Sequence, residues 1–188
     1  VIGGGRYTPL YQVDFTILGN FVGIFTSDIN VKFGAFWLYK AVLFFLLCIS
    51  LYFILKKITK SRVLSAFSVV LLFGHAGFWY VFTSIAATTE AQTITFMSMA
   101  LIFYMRYHVG GRFYNNVISA VCALIACGFK EPVFIAFGAM SVVHLFLNWR
   151  FNRGARRAHD LVMIMTMALW AILYFVESIW PLIERGLP

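Results

Sequence analysis

The sequence predicts an all-α, polytopic integral membrane helix bundle, with about six transmembrane helices and an N-terminal interfacial or re-entrant helix. Two observations of composition carry this prediction. Apolar residues make up 62% of the 188 residues, and charged residues only 12%, against about 45–50% and about 25% in ordinary soluble domains. The apolar runs are also continuous, whereas barrel strands would be ~10-residue segments of alternating polarity.

The chain divides by composition into two parts. Residues 1–34 are expected to form an extracytoplasmic loop and an interfacial segment, because Gln12, Asp14 and Asn20 interrupt the apolar residues there. Residues 35–188 are expected to form a single transmembrane helical domain, with spans over about 36–55, 63–84, 91–105, 114–129, 133–148 and 161–180. The third to fifth spans would be only ~23–24 Å long, which predicts a recess on one face of the bilayer.

The distribution of charge predicts the orientation. Ten of the fifteen basic residues fall in alternate connections, at 56–62, 106–112 and 149–157. The positive-inside rule places these basic loops in the cytoplasm and both termini outside it. Six of the seven acidic residues then share the extracytoplasmic side, and the recess is expected to open there. With its basic residues in membrane loops, the chain is predicted not to bind nucleic acid.

An extracytoplasmic N-terminus requires an explanation, because the sequence begins at Val1 and shows no signal peptide. A preceding transmembrane helix would supply it. We therefore expect the sequence to be a fragment of a longer chain that has at least one further helix before Val1.

Five residues on the extracytoplasmic side are the candidates for a binding site. Glu90 opens the third span, and Lys130 and Glu131 occupy the turn before Pro132. Ionisable residues at membrane depth are often functional, and a lysine can bind a lipid phosphate as a point charge. Arg6 and Asp14 could line the same recess. The alternatives are a helix-start charge for Glu90, an ion pair in the turn, and solvated loop positions for Arg6 and Asp14.

The histidines and cysteines predict no metal centre. No two histidines have the spacing of metal ligands along one helix, and no Cys-x-x-Cys motif occurs. His75 and His144 are expected to pack or to form an interhelical hydrogen bond, and His108 is expected to be solvated in a basic loop. No cofactor is predicted, although a need for a divalent metal is left open.

Three segments resemble one family of membrane enzymes. They are Gly5-Arg6-Tyr7-Thr8-Pro9-Leu10-Tyr11, Ser84-Ile85-Ala86-Ala87-Thr88-Thr89-Glu90, and Ala126-Cys127-Gly128-Phe129-Lys130-Glu131-Pro132. In order and spacing, over about residues 3–150, they resemble the polyprenyl- or dolichyl-phosphate-sugar-dependent glycosyltransferases of the GT-C class. That class includes the protein mannosyltransferases.

The resemblance implies transfer of a sugar from a polyprenyl-phosphate donor to an acceptor at the extracytoplasmic face, in a bacterial plasma membrane. It implies that Lys130 and Arg6 contact the donor phosphate and that Glu90 lines the cavity. The family's catalytic acidic residue lies in an earlier loop, so it is expected upstream of Val1, and this fragment would be inactive alone. A non-catalytic subunit of a larger membrane complex is the main alternative, and part of a transporter or flippase is the third.

Overall fold

The computed structural model describes residues 9–83, 88–110, 112–130, 132–151 and 154–184. These residues form helices and contain no strand. The helices are α1 (Pro9–Phe25), α2 (Ile29–Thr59), α3 (Arg62–Phe73), α4 (Ala76–Thr83), α5 (Thr88–Gly110), α6 (Phe113–Phe129), α7 (Val133–Arg150), α8 (Gly154–Tyr174) and α9 (Trp180–Glu184), with a π-helical segment at Phe175–Ile179. The prediction of an all-α bundle is confirmed.

Helix α2 has well-defined signals at both ends. The carboxylate of Asp28 accepts a hydrogen bond from the backbone N–H of Asn30 at 2.8 Å, as an N-cap. At the other end, Lys60 adopts a left-handed conformation with φ of 57°, and its N–H bonds to the Lys56 carbonyl. The helix therefore extends beyond the predicted span 36–55 on both sides, because capping extends it past the apolar residues.

The predicted span 63–84 is divided into α3 and α4, which meet at an angle of 70°. Gly74 favours helix formation poorly, and the Nδ1 atom of His75 accepts a hydrogen bond from the N–H of Gly77 at 3.2 Å. This bond caps the start of α4. His75 is consequently exposed at a bend, and the expectation that it packs within a helix is wrong.

The third predicted span, 91–105, is part of a much longer helix. Helix α5 runs for 23 residues because its polar first turns are buried against neighbouring helices instead of fraying. Thr88, Gln92 and Thr95 are each almost completely buried. Gln92 donates to the Tyr39 hydroxyl at 2.8 Å, and the Thr95 hydroxyl donates to the Leu43 carbonyl at 3.3 Å. The prediction of a short third helix is therefore wrong.

Helix α5 lies between two groups of buried side chains. On one side it packs with α2 and α4, around Leu43, Leu47 and Phe82. On the other it joins a larger core with α6, α7 and α8. The contact between α5 and α6 is the most extensive among the described helices. Ala100 on α5 and Ala123 on α6 are fully buried, and such small side chains allow two helices to approach closely.

Within the part of the chain that the structure describes, three helical segments are long and apolar enough to cross a membrane: Ile29–Thr59, Val133–Arg150 and Asp160–Glu177. The bent pair α3 and α4 would make a fourth if it counts as one span. This is fewer than the six predicted. Helix α5 carries too many polar residues to qualify, and α6, at 17 residues, is slightly short.

Candidate functional site

Two of the residues singled out in the sequence meet in the structure. The Nζ atom of Lys130, at the end of α6, lies 2.7 Å from Oε1 of Glu90, in the first turn of α5. Because α5 and α6 are antiparallel neighbours, the start of one lies beside the end of the other. The Thr89 hydroxyl donates to the second carboxylate oxygen of Glu90 at 2.9 Å. The exposed fractions are 39% for Lys130 and 36% for Glu90, so the ion pair is accessible from outside the bundle.

A second lysine stands behind this pair and was not singled out in the sequence. Lys40 on α2 is 2% exposed, and its ammonium donates to the Val81 carbonyl on α4 at 3.2 Å. It also lies 5.8 Å from the ring centroid of Phe36, a cation–π distance. Burial of Lys40 opposes its charged form, and the negative charge of Glu90 favours it. One carboxylate is thus balanced by two lysines, which leaves the group with a net positive charge.

The environment of Glu90 favours its ionised form. Burial opposes ionisation, but the hydrogen bonds from Lys130 and Thr89 outweigh it and hold the pKa of Glu90 below its ordinary value. Glu90 precedes the predicted span, in the first turn of α5, where the helix dipole also favours a negative charge. Glu90 is therefore an anion at neutral pH.

This depressed pKa predicts how stability depends on pH. Above the unfolded-state pKa of about 4.3, the ion pair contributes fully, by about 0.2–1 kcal/mol for a pair this exposed. The contribution is lost as the pH falls through the lower, folded-state pKa. We expect the difference in thermal stability between the wild type and Glu90→Gln, in detergent, to be constant from pH 7 to about pH 5. It should shrink as the pH falls below about 4.3 and vanish only when the pH lies below the folded-state pKa of Glu90. In a Lys130→Met background the same substitution should show a much weaker pH dependence; an unchanged profile there would contradict the pairing.

The side chains of the three other predicted site residues lie outside the described part of the structure. Arg6 and Glu131 lie outside the described residues. Asp14 lies within α1, although its side chain is outside the described part of the chain. Helix α1 packs against α2 and α6. The site therefore comprises Glu90, Lys130 and Lys40, and the roles predicted for Arg6, Asp14 and Glu131 stay predictions.

A second polar cluster, which the sequence reasoning missed, lies near the other end of α5. Asp160, in the second turn of α8, is fully buried. Its Oδ1 atom accepts a hydrogen bond from the Tyr104 hydroxyl at 2.6 Å, and its Oδ2 atom accepts one from the Asn148 amide at 2.6 Å. Nε2 of His108 is 3.6 Å from Oδ1. The ring of His144 lies 5.2 Å from those of both His108 and Tyr104, measured between centroids.

This arrangement corrects the expectation for His108. Its side chain is only 14% exposed and faces a buried carboxylate, so it is not a solvated loop residue. The reason is the length of α5, which continues past the predicted span as far as Gly110. In the sequence, His108 looks like a loop residue because Gly110, Gly111 and Arg112 follow shortly after it. In the structure it occupies the last turns of a helix.

Basic side chains gather at this same end of the bundle. Lys57 at the end of α2 donates to the Met105 carbonyl of α5 at 3.2 Å, so the ends of these helices adjoin. Lys56, Lys57 and Arg106 line a recess of about 290 Å³. The basic residues thus lie near the C-terminal end of α5, and the Glu90–Lys130 pair lies at its N-terminal end. This separation agrees with the alternation of charge in the sequence.

Comparison with models of protein families, with curated proteins and with solved structures gave no match for this chain.

Proposed function

We propose that this chain is part of a membrane-embedded glycosyltransferase that takes its sugar from a polyprenyl-phosphate donor at the extracytoplasmic face of a bacterial plasma membrane. The observation that carries the proposal is the 2.7 Å contact between Lys130 and Glu90. The resemblance to the GT-C class selected these two residues forty positions apart, and they meet at one end of the bundle.

The apolar exterior supports the membrane part of the proposal. Large apolar side chains are exposed along α2, α7 and α8, for example Phe45, Val143 and Leu169. A surface of this kind in water would be an aggregation hazard, whereas in lipid it is the expected exterior. The basic residues at one end would face anionic headgroups and the cytoplasm. The Glu90–Lys130 end would then lie at the opposite leaflet.

The charges of the site suit a phosphate diester. Lys40 and Lys130 together carry two positive charges, and Glu90 carries one negative charge, so a ligand with a single negative charge would neutralise the group. Lys130 is the exposed member and would contact the phosphate, while buried Lys40 would hold Glu90 in place. Charge-assisted contacts of this kind contribute about 1.5–3 kcal/mol each.

The test is sugar turnover by the full-length protein in membranes, with a panel of radiolabelled polyprenyl-phosphate sugars as donors. We expect Lys130→Ala to reduce transfer at least tenfold, because the loss of one charge-assisted contact exceeds the 1.4 kcal/mol that corresponds to a factor of ten. Lys56→Ala is the matched control, since it removes a lysine that lines the basic recess at the opposite end of the bundle. It should leave transfer unchanged.

Two results would overturn the proposal. Undiminished transfer by Lys130→Ala would remove this lysine from donor binding. No turnover of any donor by the full-length wild type, together with copurification at fixed stoichiometry with a larger membrane assembly, would favour a non-catalytic subunit instead.

A further inference from the structure

The Asp160 cluster combines the side chains that bind transition metals. His108 comes from α5, His144 from α7 and Asp160 from α8. One potential ligand atom from each residue lies within 4.8 Å of those of the other two. Because these residues are distant in the sequence, no spacing along a single helix could have revealed them. The expectation of no metal centre considered only such local spacing.

We propose that His108, His144 and Asp160 bind one divalent transition-metal ion. Around a tetrahedral Zn²⁺ with bonds of about 2.0–2.1 Å, the ligand atoms are about 3.4 Å apart. The observed 3.6 Å between His108 Nε2 and Asp160 Oδ1 already fits this geometry. Rotation of the His144 ring would bring one of its nitrogens into the position of the third ligand. Two imidazoles and a carboxylate favour zinc, iron or nickel over Mg²⁺ or Ca²⁺, which prefer oxygen ligands.

The surrounding hydrogen bonds are those that orient a metal-binding carboxylate. Tyr104 and Asn148 each hold one oxygen of Asp160 at 2.6 Å. Such outer contacts fix the orientation of a ligand and strengthen metal binding. Nε2 of His108 approaches the same oxygen, Oδ1, that accepts the hydrogen bond from Tyr104. A carboxylate with no exposure to solvent is stabilised by positive charge, and a bound divalent cation would contribute such charge.

The two histidines of the cluster border a recess, and Asp160 lies buried behind them. A recess of about 370 Å³ is lined by His108, His144, Tyr104 and Lys57, among others. It offers a path of entry and room for a water molecule as the fourth ligand, as in sites with three protein ligands. His108 is eighteen residues from Glu90 on the same helix, or about 27 Å along it. The metal site is therefore independent of the proposed donor site.

The experiment uses the full chain, purified in detergent without a histidine tag and freed of metal by chelation. Isothermal titration with Zn²⁺ should show one ion bound per chain, and Co²⁺ should give a visible ligand-field absorption. We expect His144→Ala to weaken Zn²⁺ binding by more than tenfold. Tyr104→Phe, which removes only the hydrogen bond to Asp160, should weaken it by about 10–100-fold. His75→Ala is the matched control, because His75 is exposed at the α3–α4 bend.

Circular dichroism of each variant establishes that it is folded. Absence of Zn²⁺ binding by the wild type at micromolar concentrations would overturn the proposal. Binding that survives in folded His144→Ala, or that is lost in His75→Ala, would place the ion elsewhere and would also overturn it.

Discussion

Asp160→Ala is expected to lower the free energy of unfolding by about 3–5 kcal/mol, the usual loss when one partner of a buried charged group is removed. The carboxylate is the acceptor for both Tyr104 and Asn148, and it is the charged neighbour of His108. Alanine would leave these polar groups buried against a small cavity. Each unsatisfied group costs about 1–3 kcal/mol. Thermal or denaturant unfolding in detergent, with a chelator present, measures the contribution of the protein's own contacts.

Two further variants serve as comparisons for Asp160→Ala. Asp28→Ala removes an exposed N-cap carboxylate and should cost only about 1 kcal/mol. Asp160→Asn keeps an acceptor for one neighbour but turns an amide N–H₂ toward the other donor. Its loss of unfolding free energy should therefore lie between the losses of Asp28→Ala and Asp160→Ala. Equal losses for the two alanine variants would show that the buried carboxylate contributes no more than a surface cap.

The positions of the helices were largely predictable, because they depend on the pattern of residues that are close together in the sequence. Continuous apolar runs mark the helices, and Pro132 marks the turn between α6 and α7. Helix ends were less predictable. The polar start of α5 is helical because α2 supplies partners for Gln92 and Thr95, and nothing in the local pattern encodes those partners.

The two clusters differ in how much of them the sequence revealed. Glu90 and Lys130 are charged residues between long apolar runs, which singles them out, although their contact depends on α5 and α6 being antiparallel. Asp160 is an acidic residue beside a run of arginines, and it resembles an ordinary loop residue. Its partners Tyr104 and Asn148 come from two other helices, so only the tertiary structure shows that it is buried.

The close approach of α5 and α6 allows a stability prediction that also bears on the candidate site. Apolar lipid provides little hydrophobic drive for helix association, so tight packing and interhelical hydrogen bonds decide it. The Ser119 hydroxyl on α6 donates to the Ala100 carbonyl on α5 at 2.8 Å. Ala123 lies one turn further along α6 and is fully buried. There is consequently little room for a larger side chain between these helices.

Ala123→Leu is expected to destabilise the protein by about 1–3 kcal/mol, the range for overpacking a buried position. Ala139→Leu, on an exposed face of α7, is the matched control and should change stability by less than about 0.5 kcal/mol. Separation of α6 from α5 would also draw Lys130 away from Glu90. The coupling energy between these two residues, measured by a double-mutant cycle, should therefore fall in the Ala123→Leu background and persist in the Ala139→Leu background. Unchanged coupling in both would mean that the ion pair forms independently of the packing between the helices, and that its geometry is set by the chain beyond Phe129 instead.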